Sequence, residues 1–238
     1  MDTNKLLEQF LGSGRNNTSE GGPQQGNNMM GSSPLAGMLG GGLGKGMAMG
    51  GVLGLLIGSK KVRKMAGGVI GYGGAAAAGA MAFKAYQNWQ QGQQVQSAPI
   101  ASAADLQHVD PRFLPPTATT PAGQYFSLTL ITAMIYAAKA DGHIDAKEQA
   151  VIFEQVEKMS LDAESKAFVF DALRKPIDID ALASSVQGIE QASEVYLVSR
   201  LAIDIDHPAE RAYIEALANR LKLPAELTAH LDHQVIDA

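Results

Sequence analysis

Residues 137–153 read AAKADGHIDAKEQAVIF, and this stretch decides the fold class of the C-terminal half. Tyr136 and Ala138 belong to an apolar helix that ends at Asp141-Gly142, and Asp145 begins the next helix. Glycine takes the left-handed backbone conformation that commonly terminates a helix. Asp145 with Glu148 three residues later has the form of a capping box, and carboxylates are favoured at helix N-termini. The expected unit is helix, short acidic loop, helix. Capping accounts for Asp145, Glu148 and Gly142 without further function; a ligand-binding role for the same acids is the alternative.

The helical pattern extends outward from this loop. Leu128, Ile131, Ile135 and Ala138 recur at helical spacing on one side, and Val151, Ile152, Val156 and Met159 on the other. Further helical stretches are predicted over 162–174, 179–186, 189–203, 209–222 and 225–235. Pro121, Pro208 and Pro224 each suit a first helical position. No stretch alternates with period two for long enough to make a strand. The predicted fold class is all-α, with about seven helices in residues 122–238.

A second copy of the acidic unit follows. Residues 202–217 read AIDIDHPAERAYIEAL, and aligning Glu210 with Glu148 sets Tyr213-Ile214 on Val151-Ile152. His207 and Pro208 cap and start this second helix, so Asp204 and Asp206 are not needed as caps. Two such units about a pseudo-twofold would gather Asp141, Asp145, Glu148, Asp204, Asp206 and Glu210. Six clustered carboxylates repel unless a cation neutralises them or they protonate. Oxygen donors favour calcium or magnesium; zinc would draw on His143 and His207. The first loop is not an EF-hand, because the positions that should carry carboxylates hold Ala137 and Lys139.

The strings ADGHIDAKE and DIDHPAE in an all-helical context resemble the TerB-like domain of tellurite-resistance proteins. With a short amphipathic start and a glycine-rich apolar middle, the whole chain resembles the YebE-like family of bacterial inner-membrane proteins. The resemblance implies a compact helical domain that binds a divalent metal through paired acidic loops, with no established enzyme activity. Asp204-Ile205 departs from the expected Asp-Gly, which weakens that implication for the second loop.

Composition divides the chain of 238 residues unevenly. Of 26 glycines, 23 lie at or before Gly92; residues 1–121 carry a net charge of +4 and residues 122–238 one of −9. There is no cysteine, which excludes disulfides and thiolate chemistry. Neither half clusters basic residues as a phosphate-binding surface does, so nucleic acid is not an expected partner.

Four zones result. Residues 1–34 hold an amphipathic piece (Leu6, Leu7, Phe10, Leu11) and then a Gly/Asn/Gln/Ser run read as a disordered tail. Residues 35–88 are a glycine-rich membrane-associated segment, with the span placed at Met65–Phe83, 19 uncharged residues. As a helix these reach about 28 Å, close to a hydrocarbon core of about 30 Å. Glycines at 42, 46, 50, 54 and 58, and at 67 and 71, give a zipper-like face through which copies of the chain could associate. A flexible low-complexity linker is the plainer reading. Tyr86 and Trp89 would anchor such a span at the interface or simply pack.

Residues 89–121, rich in Pro, Gln and Ala, read as an extended tether, and residues 122–238 as a separately folding TerB-like domain. Lys60, Lys61, Arg63 and Lys64 on the N-terminal side of the span favour a single pass in a bacterial inner membrane, N-terminus cytoplasmic and C-terminal domain periplasmic. His230 and His233, three apart on the last helix, read as part of a solvated face.

These residues predict a non-enzymatic, membrane-tethered helical module that binds a divalent cation or a protein partner through its acidic loops. The alternative is a structural, self-associating glycine-zipper protein with a helical interaction domain. A metal-dependent hydrolase lacks a nucleophile and a basic clamp beside the acids.

Overall fold

The computed structural model describes residues 3, 6, 7, 74–102, 104–114, 125–142, 162–203, 205 and 207–236. Seven α-helices occur among them: α1 (Gly74–Gln90), α2 (Phe126–Ala138), α3 (Ala163–Arg174), α4 (Ile179–Ser184), α5 (Gly188–Ala202), α6 (Pro208–Arg220) and α7 (Ala225–Ile236). Three 3-10 turns, Val95–Ser97, Asp105–His108 and Pro111–Phe113, follow α1. No strand is present among the described residues, and the predicted all-α class holds.

Local chemistry sets the helix starts. Asp162 Oδ1 accepts the Ser165 amide at 2.8 Å and starts α3; Asp178 Oδ1 does the same for Ala181 and α4. Each satisfies an amide that the first helical turn leaves without a partner. Pro208 opens α6, where its missing N–H costs nothing.

Helix α5 is the axis of the molecule. Every residue from Gln191 to Ala202 is buried, and α2, α1 and α7 pack around it. A helix buried on all sides must satisfy its polar side chains internally. Ser193 and Ser199 do so by returning their hydroxyls to the carbonyls of Ile189 (2.7 Å) and Val195 (2.8 Å). Gln191 Oε1 accepts the Gln187 amide at 2.7 Å.

The composition boundary at residue 121 does not divide the packing. Ala77, Ala78, Ala80, Met81, Ala82 and Ala85 of α1 are all at most 2% exposed, and α1 lies against α7 and α5. The expected tether is docked where it is described. Asn88 Nδ2 donates to Pro99 O at 2.9 Å, and the Ala101 amide donates to Gln234 Oε1 at 2.7 Å. Phe113 is fully buried, with ring centroids 5.4 Å from Phe83 and 5.5 Å from Tyr86. Tyr86 and Trp89 therefore pack within the bundle, 5.7 Å apart.

Residues 74–83 of the expected span thus belong to the helical body, and 65–73 lie outside the described residues. No helix among the described residues is long and apolar enough to cross a membrane. At the other end of the chain, Leu6 and Leu7 join the same core.

Candidate functional site

Helix α2 ends at Ala138, and the chain turns through Lys139, Ala140 and Asp141 into Gly142, whose φ is +92°. At that angle any residue with a Cβ is strained, which is why glycine stands there. Lys139 does not point into the acidic loop. Its Nζ donates to Leu173 O at 2.8 Å and to Lys175 O, the carbonyls at the C-terminal end of α3. A cation is favoured there by the helix dipole and by the last carbonyls, which no helical amide satisfies. Burial holds the Lys139 ammonium below the usual lysine range. The turn that presents Asp141 is therefore clamped to a second helix, and Asp141 is exposed at its tip.

The second acidic unit begins at α6. His207 is the N-cap: its Nδ1 accepts the Ala209 amide at 3.2 Å, and Glu210 Oε2 accepts the His207 amide at 3.1 Å. The reciprocal pair is a capping box with histidine in the usual serine position. Glu210, expected among the cation ligands, commits one carboxylate oxygen to the helix start. Asp145, Glu148, Asp204 and Asp206 lie outside the described residues, as does His143. Among the described residues no three His, Asp or Glu side chains converge as a metal site would require. Of the six acids, the described residues show Asp141 exposed at its turn and Glu210 engaged in capping α6.

Two buried polar groups escaped the sequence reading. Arg200 on α5 is 5% exposed; its Nε donates to Asp232 Oδ1 of α7 at 2.6 Å, and the Tyr196 hydroxyl donates to the same carboxylate at 3.2 Å. Burial, together with that carboxylate, pushes the Tyr196 hydroxyl above its usual range. Glu194 is fully buried, and among the described residues neither of its oxygens has a hydrogen-bond partner. Burial pushes its carboxyl well above the ordinary range. Spacing gives no signal for either, because a charged residue amid apolar ones reads as the solvent side of an amphipathic helix.

The histidines on α7 also depart from expectation. His230 is buried and His233 half-buried, with His233 Nε2 2.9 Å from Ala98 O. The face read as solvated is covered by the stretch 93–101, whose Pro and Gln content suggested an open tether.

Comparison with known proteins gives a family without an assigned activity. A protein-family profile described as "Protein of unknown function (DUF533)" matches residues 42–235. An "Uncharacterized protein in ampR 5'region" of Yersinia enterocolitica is 33% identical over 106 residues, 44% of this chain and 76% of that protein. No solved structure matches. The profile spans α1 through α7, the same helices that share one core, and on that match the chain belongs to the DUF533 family.

Proposed function

We propose that the protein is a non-enzymatic helical binding module, carried at a bacterial inner membrane by its glycine-rich segment upstream of α1. It engages a divalent cation, calcium or magnesium, or a protein partner through the acidic loop that starts at Asp141. The observation that supports this reading is the Lys139 clamp. By fixing the turn to the carbonyls of Leu173 and Lys175, it presents Asp141 on a rigid base. A binding group held in place before its ligand arrives loses less entropy on association. The resemblance to TerB-like domains points the same way.

The test is a calcium and magnesium titration of the full chain, followed by thermal unfolding. A saturable rise in Tm of several degrees is expected, and Asp141→Asn with Asp145→Asn should abolish it. No rise with either ion removes the cation and leaves the protein partner.

The glycine faces at Gly42–Gly58 and Gly67–Gly71 supply a surface for self-association at the membrane, and the basic run Lys60–Lys64 supplies charge for anionic lipid headgroups. Leu6 and Leu7 share one core with the helical domain, so both ends of the chain lie on one side of that membrane, and reporter fusions at the two termini should read alike. Opposite readings at the two termini refute this arrangement.

A further inference from the structure

Residues 91–102 cross α7 without a single ionisable side chain. The stretch is tied at both ends. Gly92 closes α1 at φ +63°; the Ser102 amide donates to Asp105 Oδ2 at 2.8 Å, and Asp105 pairs with Lys84 of α1 at 2.9 Å. Between those ties only Ala98 and Ala101 are buried, so polar bonds to α7 do most of the holding. His233 Nε2 donates to Ala98 O at 2.9 Å, Gln234 Oε1 accepts the Ala101 amide at 2.7 Å, and the His230 ring hydrogen-bonds the Gln93 backbone. A segment with few buried apolar contacts opens ahead of the core it lies on.

His230 is 3% exposed, and its Nδ1 has no hydrogen-bond partner among the described residues. Protonation would turn that nitrogen into a buried N–H with nothing to accept it, on a ring that now carries charge. No neighbouring group offsets this. On α7, Asp232 is held by Arg200 and Tyr196 of α5, Glu226 is exposed, and His233, three residues on, opposes a charged His230. On α1, Lys84 is engaged by Asp105, and the Tyr86 hydroxyl accepts from Gln90. On α5, Glu190 pairs with Arg112, and burial holds Glu194 neutral. Burial under the stretch accordingly keeps the His230 ring below the usual histidine range. By linkage, the seated arrangement is at full strength above the free imidazole value and weakens as pH falls through it.

We propose that residues 93–101 form a strap operated by pH: with His230 neutral the strap stays pinned across α7, and protonation of His230 lifts it and bares a polar face of His230, His233 and Gln234. This inference stands apart from the acidic loop and from any cation it binds.

The test is amide hydrogen exchange on the full chain, compared as protection factors at about pH 7.5 and about pH 5. The Ala101 amide and its neighbours in 93–101 should lose about tenfold in protection at the lower pH while α5 keeps its own. His230→Gln, which cannot charge, should show no such loss. Equal protection of the wild-type strap at both values overturns the proposal, as does a loss that α5 shares or one that persists in His230→Gln. If that variant does not keep its helical circular dichroism, nuclear magnetic resonance on the wild-type chain decides. The Ala101 amide and the His230 ring should then titrate with one common midpoint; separate midpoints, or a ring that stays neutral until the whole chain unfolds, overturn the strap.

Discussion

Glu194 sits on α5 with both carboxylate oxygens removed from water and, among the described residues, from every donor. Burial holds its carboxyl well above the ordinary glutamate range, so the folded chain keeps a proton that the unfolded chain releases. Above the unfolded value the native state binds more protons than the unfolded one, and stability falls as pH rises through that window by up to about 1.4 kcal/mol per unit. Glu194→Gln keeps the shape and removes the ionisation. It should raise Tm at pH 7–8 and leave it nearly unchanged at pH 4, as followed by thermal melts across that range. A variant equally stabilised or destabilised at both ends would mean that the carboxyl is not the titrating group. His230 works in the opposite sense: burial lowers its imidazole below 6.5, so its contribution is present above that value and is lost as pH falls. Lys139→Met tests the clamp. It withdraws the donor from Leu173 O and Lys175 O and should cost about 1–3 kcal/mol in urea unfolding. Such roles are illegible in a sequence because they depend on what lies across the core. Lys139 reads as a misfit in a cation cage until α3 is seen beside it.

Helix boundaries were the most legible feature. The stretches 162–174 and 225–235, read from periodicity and prolines, are observed at Ala163–Arg174 and Ala225–Ile236. They were readable because caps are local: Asp162, Asp178 and His207-Pro208 act within three residues of where they stand. The end of α6 shows the same locality with a flaw. Lys222 adopts φ +56° while the Leu223 amide returns to Ala218 O at 3.1 Å, the closure for which glycine is the unstrained residue. Lys222→Gly should raise stability by about 0.5–1 kcal/mol, measurable as a shift of the urea midpoint at constant slope. Helix α1 was misread for a different reason. A face of alanine and glycine lets helices approach closely in lipid, and it does the same inside a protein core. Composition does not separate the two; burial of Ala77–Ala85 against α5 and α7 does. The stretch after α1 was misread because Gln234 and Asn88, which hold its backbone, are remote or lie in a preceding helix. The acidic loops stay half-read: the helix starts show Glu210 capping, while Asp145, Glu148, Asp204 and Asp206 lie beyond the described residues.

At the scale of the whole molecule, one core joins residues that composition had assigned to four zones. Leu227, Leu231 and Val235 lie on the inner face of α7, each at most 1% exposed, and α7 packs mainly on α1 and α5. Removing everything before residue 122 would strip α1 from that face. It would also remove Phe113 and the stretch that covers His230 and His233. Each large apolar side chain returned to water costs about 1.5–3 kcal/mol, and a domain of this size is stable by only about 5–15 kcal/mol. Three or four such exposures consume that margin. Residues 122–238 alone should therefore lack a cooperative thermal transition and bind a hydrophobic dye, whereas residues 74–238 should melt cooperatively. The full chain, with Leu6 and Leu7 seated, should melt higher still. Near-ultraviolet circular dichroism and calorimetry on the three chains check the order. A sharp transition for 122–238 within a few degrees of 74–238 would show that α1 is packed on a domain that folds without it.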